Sequence, residues 1–311
     1  MTVSTKITHH PIFEKGLFAK HPELFDRFFE QASGYMRKKF ETSKHCLIDA
    51  EEVETWPVIT GPGFCGATHP GANNILIETL YSEKKYIYNS DSLYINSHQR
   101  VFAISDPPGK TTSSRRLFKK LDRFLETDTP DNLEAFINQV SKDTRYDDAA
   151  ALSLLYFPLT SKVPGAEAVV FMSGDILLFH GNRLKNEIAS ISGNSQFIGT
   201  SHATFESQNI RLDKGDFFII ASDGISSLLL NNPQAALDEI LLDLLQSNPK
   251  QFVSTVVHHC NAYYAVPVEG SKSIPRLGGD DNVTILSLFP DQIPELDDSQ
   301  SYLLGGFLPD T

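Results

Sequence analysis

Three apolar runs in this chain meet an aspartate at a turn, and that placement constrains the fold more than any other feature. Val101-Phe-Ala-Ile-Ser leads into Asp106, Phe217-Phe-Ile-Ile-Ala-Ser leads into Asp223-Gly224, and Asp280-Asp281-Asn282 precedes the run over 283–289. Such runs of β-branched and aromatic residues read as buried strands, and an acid at a strand end rests on a rigid element without its charge being buried in the sheet. Hard divalent cations want carboxylate oxygens held in this way. A divalent-metal site assembled from Asp106, Asp223 and Asp281 is the working expectation. The second motif follows its strand and the third precedes its own, so the two can meet at one sheet edge. Asp-Gly and Asp-Asn are also ordinary turn dipeptides, so each motif taken singly has a turn-forming explanation as well.

Hydrophobic periodicity divides the remainder. Residues 11–41 carry Phe13, Leu17, Phe18, Leu24, Phe25, Phe28, Phe29 and Tyr35 between charges, a spacing that suits one or two amphipathic helices packed on the main domain. Residues 46–105 change to short runs of Val, Ile, Tyr and Thr broken by Gly-Pro-Gly, Pro-Gly and Asn-Ser-Asp-Ser turns, which predicts an antiparallel meander. Helices are expected over 113–127, 133–140, 225–230, 234–245 and 249–264, strands over 149–157, 168–172, 176–179 and 283–289, and a loop over 268–279. Strand blocks separated by paired helices, without βαβ alternation, indicate an α+β domain with mainly antiparallel sheets. The expected organisation is an N-terminal helical extension, residues 1–45, and one domain, residues 46–311.

Composition removes several classes of function. A chain of 311 residues that is 41% hydrophobic and 21% charged is built for a folded core. A net charge of −12 opposes nucleic acid and anionic membrane as general partners. Cys46, Cys65 and Cys260 are three in number and far apart, so neither a disulfide framework nor a zinc motif is suggested. No run approaches ~20 apolar residues and the N-terminus lacks an apolar signal core, so a soluble cytoplasmic protein is expected. There is no Gly-x-Ser-x-Gly elbow and no P-loop.

Taken in order, Val101-Phe-Ala-Ile-Ser-Asp106, Met172-Ser-Gly-Asp175-Ile-Leu-Leu-Phe with Gly181-Asn182, Lys214-Gly-Asp-Phe-Phe-Ile-Ile-Ala-Ser-Asp223-Gly-Ile and Asp280-Asp281-Asn-Val-Thr resemble the metal-dependent serine/threonine protein phosphatases of the protein phosphatase 2C (PPM) family. The resemblance implies a sandwich of two antiparallel β-sheets flanked by helices. It implies one or two Mg²⁺ or Mn²⁺ ions on Asp106, Asp223 and Asp281, with the backbone carbonyl of Pro107 as a further donor. Asp175 would help hold a weaker ion or, equally, cap turn amides. Paired ions would activate a water toward phosphorus, with no protein nucleophile. The implied partner is a phosphorylated protein substrate or a regulatory protein.

The family's first motif is placed on Gly66-Ala-Thr-His69-Pro-Gly-Ala-Asn73-Asn74. There Asn74 stands for an acid as a metal ligand, and His69 stands for a phosphate-contacting Arg. An amide keeps an oxygen donor but loses its charge, and a neutral His clamps phosphate less well than a bidentate Arg. Lys110, Arg115, Arg116 or Arg145 could replace that Arg, and Lys110 is taken with His69 as phosphate-binding. Asp106-Pro107-Pro108-Gly109 stands where the family has Asp-Gly-x-Gly, so Pro107 takes the place of a Gly. Two functions are carried forward: a phosphoserine/phosphothreonine phosphatase using a metal-activated water, and a catalytically impaired regulatory module that binds metal or a phosphoprotein.

Overall fold

The structure, a computed structural model, describes residues 6–9, 47–49, 57–71, 89–143, 149–158, 165–191, 193, 196–200, 205–225, 252–261, 263–266, 274–277, 279–294 and 301–307. Among these residues sixteen strands form two seven-stranded sheets and a separate two-stranded hairpin. The first sheet runs in space β1 (Lys6–His9), β3 (Pro57–Gly61), β4 (Phe64–His69), β15 (Val283–Leu288), β12 (Asp216–Ala221), β9 (Leu177–Asn182) and β10 (Glu187–Ile191), antiparallel throughout. The second runs β11 (Glu206–Arg211), β8 (Glu167–Ser173), β7 (Ala151–Tyr156), β6 (Val101–Asp106), β5 (Asn89–Asn96), β16 (Ser301–Phe307) and β2 (Leu47–Asp49). Its one parallel pair is β16 with β2. The hairpin joins β13 (Tyr263–Val266) to β14 (Ile274–Leu277).

Period-two alternation explains how the layers assemble. On β5 and β6, Leu93, Ile95, Phe102 and Ile104 face the first sheet, while Tyr94, Val101 and Ala103 face outward into a second apolar layer. That outer layer is completed by Leu117, Phe118, Leu121 and Leu125 of α1 (Ser113–Thr127) and by Leu133, Ile137 and Val140 of α2 (Leu133–Asp143). On the other side α3 (Phe252–Cys260) packs against β4 and β15 through Phe252, Val253, Val256 and Val257. An aromatic relay ties the sheets together: Phe64 to Phe102, Phe102 to Phe157 and Phe157 to Phe218, each at 5.8 Å between centroids. Tilted and edge-on ring pairs of this kind add to the apolar area they bury.

The sandwich and its flanking helices agree with the expected architecture, and the differences are local. Residues 46–105 are not one meander, because the β3–β4 hairpin joins one sheet and the β5–β6 hairpin the other. Lys6–His9 pairs with β3 instead of belonging to a helical extension. The helices expected over 11–41, 226–230 and 234–245 lie outside the described residues, and 223–225 form a single 3₁₀ turn. The helix expected to reach residue 264 ends at Cys260, and β14 occupies part of the expected loop over 268–279. β16 was not anticipated, because Gly305 and Gly306 read as a turn. They sit inside the strand at φ 75° and 67°, and a Cβ on Gly305 would lie 2.2 Å from the backbone oxygen of Asp91.

Candidate metal centre

Strand register brings acids from both sheets to one end of the sandwich. Ser92 pairs with Ser105 across β5 and β6, so Asp91 stands beside Asp106. In the first sheet Ala221 pairs with Ile285, and the Ser222 N–H donates to the Thr284 carbonyl at 2.9 Å. Asp223 therefore leaves β12 next to Asp281, which precedes β15. The turn after Asp223 requires glycine, because a Cβ on Gly224 would fall 1.9 Å from the Asn282 oxygen. Asn282 fastens the sheets together here: its Oδ1 accepts from Ser90 N–H at 2.9 Å and Ser90 Oγ at 2.7 Å, and its Nδ2 donates to the Pro70 carbonyl at 2.9 Å. Its own N–H donates to Asp281 Oδ1 at 2.7 Å.

These residues enclose a cavity of about 320 Å³ lined by Asp106, Asp175, Asp223, Asp280 and Asp281, with Ser90, Pro107, Pro108, Gly109 and Phe197 completing the wall. Among the described residues no Lys or Arg lines this cavity. Beside Asp106 lies Asp91, 1% exposed. Burial pushes the Asp106 carboxyl up to about 11, reinforced by the charges of Asp91 and Asp223. Burial likewise raises Asp91 to about 7. Asp223 rises to about 6 through burial and then the charges of Asp281 and Asp175, and burial also raises Asp281.

Of the residues singled out in the sequence, Asp106, Pro107, Asp175, Asp223 and Asp281 line this one cavity. His69 does not: it is fully buried on β4, and its Nδ1 accepts the Gly71 N–H at 2.8 Å. A ring enclosed in this way is unsuited to the phosphate contact expected of it. Lys110 is exposed on the loop beyond Gly109 and is not a lining residue. Asn73 and Asn74 lie outside the described residues. Asp91, in Asn89-Ser90-Asp91, is a further buried carboxylate beside Asp106 that the sequence reading did not single out. The signal was alternation, since Asp91 is in phase with the core-facing Leu93 and Ile95.

The donor set suits a hard divalent cation. It is all oxygen, it is anionic, and Asp91 Oδ2 is a buried acceptor without a hydrogen-bond partner. Among the described residues no three acidic, histidine or cysteine side chains are pre-arranged around one metal position.

A scan against protein-family models finds no match, and a search of curated proteins finds none. Solved structures do align. PppA, a key regulatory component of T6SS in Pseudomonas aeruginosa, is 17% identical with a TM-score of 0.50 over 73% of this chain and 97% of that one. RsbX in complex with magnesium is 13% identical with a TM-score of 0.50 over 76% and 100%. The PPM Ser-Thr phosphatase MsPP from Mycobacterium smegmatis, in complex with cacodylate, is 17% identical with a TM-score of 0.49 over 73% and 97%. At these identities the likeness is one of fold, the two-sheet sandwich shared with PppA and RsbX.

Proposed function

We propose that this chain is a Mg²⁺- or Mn²⁺-dependent phosphoric monoester hydrolase acting on phosphoserine or phosphothreonine in a protein. The observation that carries the reading is one acidic cavity lined by Asp106, Asp223 and Asp281, drawn from the centres of both sheets, with the buried Asp91 beside Asp106. Asp91, Asp106, Asp223 and Asp281 would hold the cations, Pro107 would add its carbonyl, and Asp175 at the mouth would serve a weaker further ion. Bound there, divalent ions would supply Lewis acidity toward a phosphoryl oxygen and lower the pKa of water.

The chain's own residues account for the rest. Cations bound there would favour the ionised form of Asp106, whose carboxyl pKa is raised by burial. Five lining carboxylates repel a bare phosphate, so phosphate recognition depends on the ions. Pro107, Pro108 and Phe197 give the mouth an apolar side against which a peptide flank can rest. Among the described residues no helix is long and apolar enough to cross a membrane, in keeping with a cytoplasmic phosphoprotein substrate.

The test is hydrolysis of p-nitrophenyl phosphate with and without Mn²⁺. Metal-dependent turnover that falls by at least about 100-fold in Asp223→Asn supports the enzyme. A second reading is a regulatory module that binds metal or a phosphoprotein without turnover; among the described residues lining the cavity there is no Lys or Arg to clamp phosphate. Tight Mn²⁺ binding without turnover at millimolar metal would favour it.

A further inference from the structure

We propose that the outward face of α1, carrying Arg116, Lys119, Lys120 and Arg123, docks an acidic segment of the protein whose phosphoserine or phosphothreonine enters the cavity. The inference rests on reading the cavity as a phosphoprotein hydrolase centre, and it adds a preference for substrates with acidic residues near the phosphate. At about 100° per residue these four side chains fall within a ~100° arc of the helix. Leu117, Phe118, Leu121 and Leu125 take the opposite side and are buried, while the four bases are exposed. Among the described residues no acid forms an ion pair with Lys119, Lys120 or Arg123. The face starts beside the cavity mouth, since Gly109 lines the cavity and α1 begins at Ser113. It leads away from there. Ser114 Oγ lies 3.0 Å from Ser105 Oγ, next to Asp106, whereas the Leu125 carbonyl accepts from Gln99 Nε2 at 2.6 Å, at the far end of the β5–β6 hairpin. Arg116 to Arg123 cover ~10 Å of helix, a length that about three extended substrate residues span.

Helix stability does not explain this charge. α1 has no acid in its first turn, where Arg115 and Arg116 stand, and no base in its last, whereas the helix dipole favours the reverse. In a chain with 39 acids against 27 Lys and Arg, α1 carries five bases and two acids, Asp122 and Glu126. Asp122 is turned inward, accepting from Tyr94 Oη at 2.8 Å and Ser301 Oγ at 2.5 Å. What remains outside is positive and complements an acidic chain. A nucleic acid would bring its phosphates against a protein of net charge −12. Among the described residues this face also offers no exposed ring for a base to stack on, because Phe124 is packed on Phe136 at 4.9 Å. A helix lying on a membrane needs a free apolar side, and that of α1 is buried in the core. An acidic protein segment meets the bases instead, offsetting the repulsion from the five lining carboxylates as the substrate approaches.

Anisotropy titration of a short fluorescein-labelled peptide rich in Glu and Asp, without phosphate, into the full chain in EDTA tests the face by itself. A variant combining Lys119→Glu, Lys120→Glu and Arg123→Glu is expected to bind at least about 10-fold more weakly. Raising KCl from about 0.05 M to about 0.3 M should weaken wild-type binding by a similar factor, which keeps the test open should the variant fail to fold. No binding by wild type, binding insensitive to salt, or wild-type affinity in the folded variant overturns the proposal. Tighter binding of single-stranded oligothymidylate or of phosphatidylserine vesicles through the same three side chains overturns it as well. Kinetics then link the face to the cavity. With Mn²⁺, a phosphoserine peptide bearing the acidic segment should have a KM about 10-fold below that of its Gly/Ser counterpart in wild type but not in the variant, with p-nitrophenyl phosphate turnover equal in both proteins. If wild type releases no phosphate while the acidic peptide binds as expected, the hydrolase reading fails and the docking face survives it. If phosphate is released with equal KM for the two peptides, the hydrolase reading stands and the docking proposal alone is wrong.

Discussion

Asp91 is the residue on which sequence and structure part most sharply. Asn-Ser-Asp-Ser has the composition of a turn, and turn chemistry hides a strand that begins on polar residues. Asp106, Asp223 and Asp281 were legible because each adjoins a long apolar run, whereas Asp91 declares itself only through the alternation that continues from it. Replacing it should separate function from stability. In Asp91→Asn, Mn²⁺-dependent hydrolysis is expected to fall by at least about 100-fold, while the metal-free protein melts at a higher temperature because one buried like charge has gone. Kinetics and thermal melts in EDTA check both halves. The raised carboxyls also fix a pH dependence. An acid whose folded pKa lies above its unfolded value of about 4 binds protons more tightly when folded. Its stabilising effect is complete below that pH and is lost as pH rises through the folded values, about 6 for Asp223 and about 7 for Asp91. Metal-free protein should therefore lose stability as pH rises from about 4 through about 7, and go on losing it toward the raised value of Asp106, about 11, and added Mn²⁺ should raise the melting temperature more at pH 8 than at pH 5.

At the scale of elements, legibility followed the strength of the periodic signal. The amphipathic stripe of α1 gave its bounds directly, and β6, β7, β8, β12 and β15 were visible as apolar runs. Where glycine or polar residues interrupt the pattern, as in β16 and at the start of β5, long-range pairing decides the structure and local sequence does not. The elements that carry acids also depend on close backbone approach. Gly224→Ala would push a methyl group into the Asn282 carbonyl and is expected to cost about 2–3 kcal/mol in urea unfolding while also weakening Mn²⁺ binding. Phe157→Ala removes the middle ring of the inter-sheet relay, away from the acids, and should cost about 3–5 kcal/mol. Its Mn²⁺ affinity in the folded fraction should stay near wild type.

For the whole molecule, two sheets facing each other across one core leave their acidic strand ends at a common edge, so the fold makes the site and the site strains the fold. A chain of net charge −12 gathers five lining carboxylates with no Lys or Arg among the described lining residues, and a divalent ion bound there would relieve their mutual repulsion. Binding to the native state alone would then add about 2.7 kcal/mol of stability at a hundredfold excess over Kd, read as a thermal shift that Asp223→Asn removes. The central claim is that Asp91, Asp106, Asp223 and Asp281 jointly hold a divalent ion, and diffraction from Mn²⁺-soaked crystals at the manganese edge tests it most directly. An anomalous peak in the cavity within coordination distance of these carboxylates is the predicted result; an empty cavity at saturating Mn²⁺, or a peak only at unrelated surface acids, would contradict it.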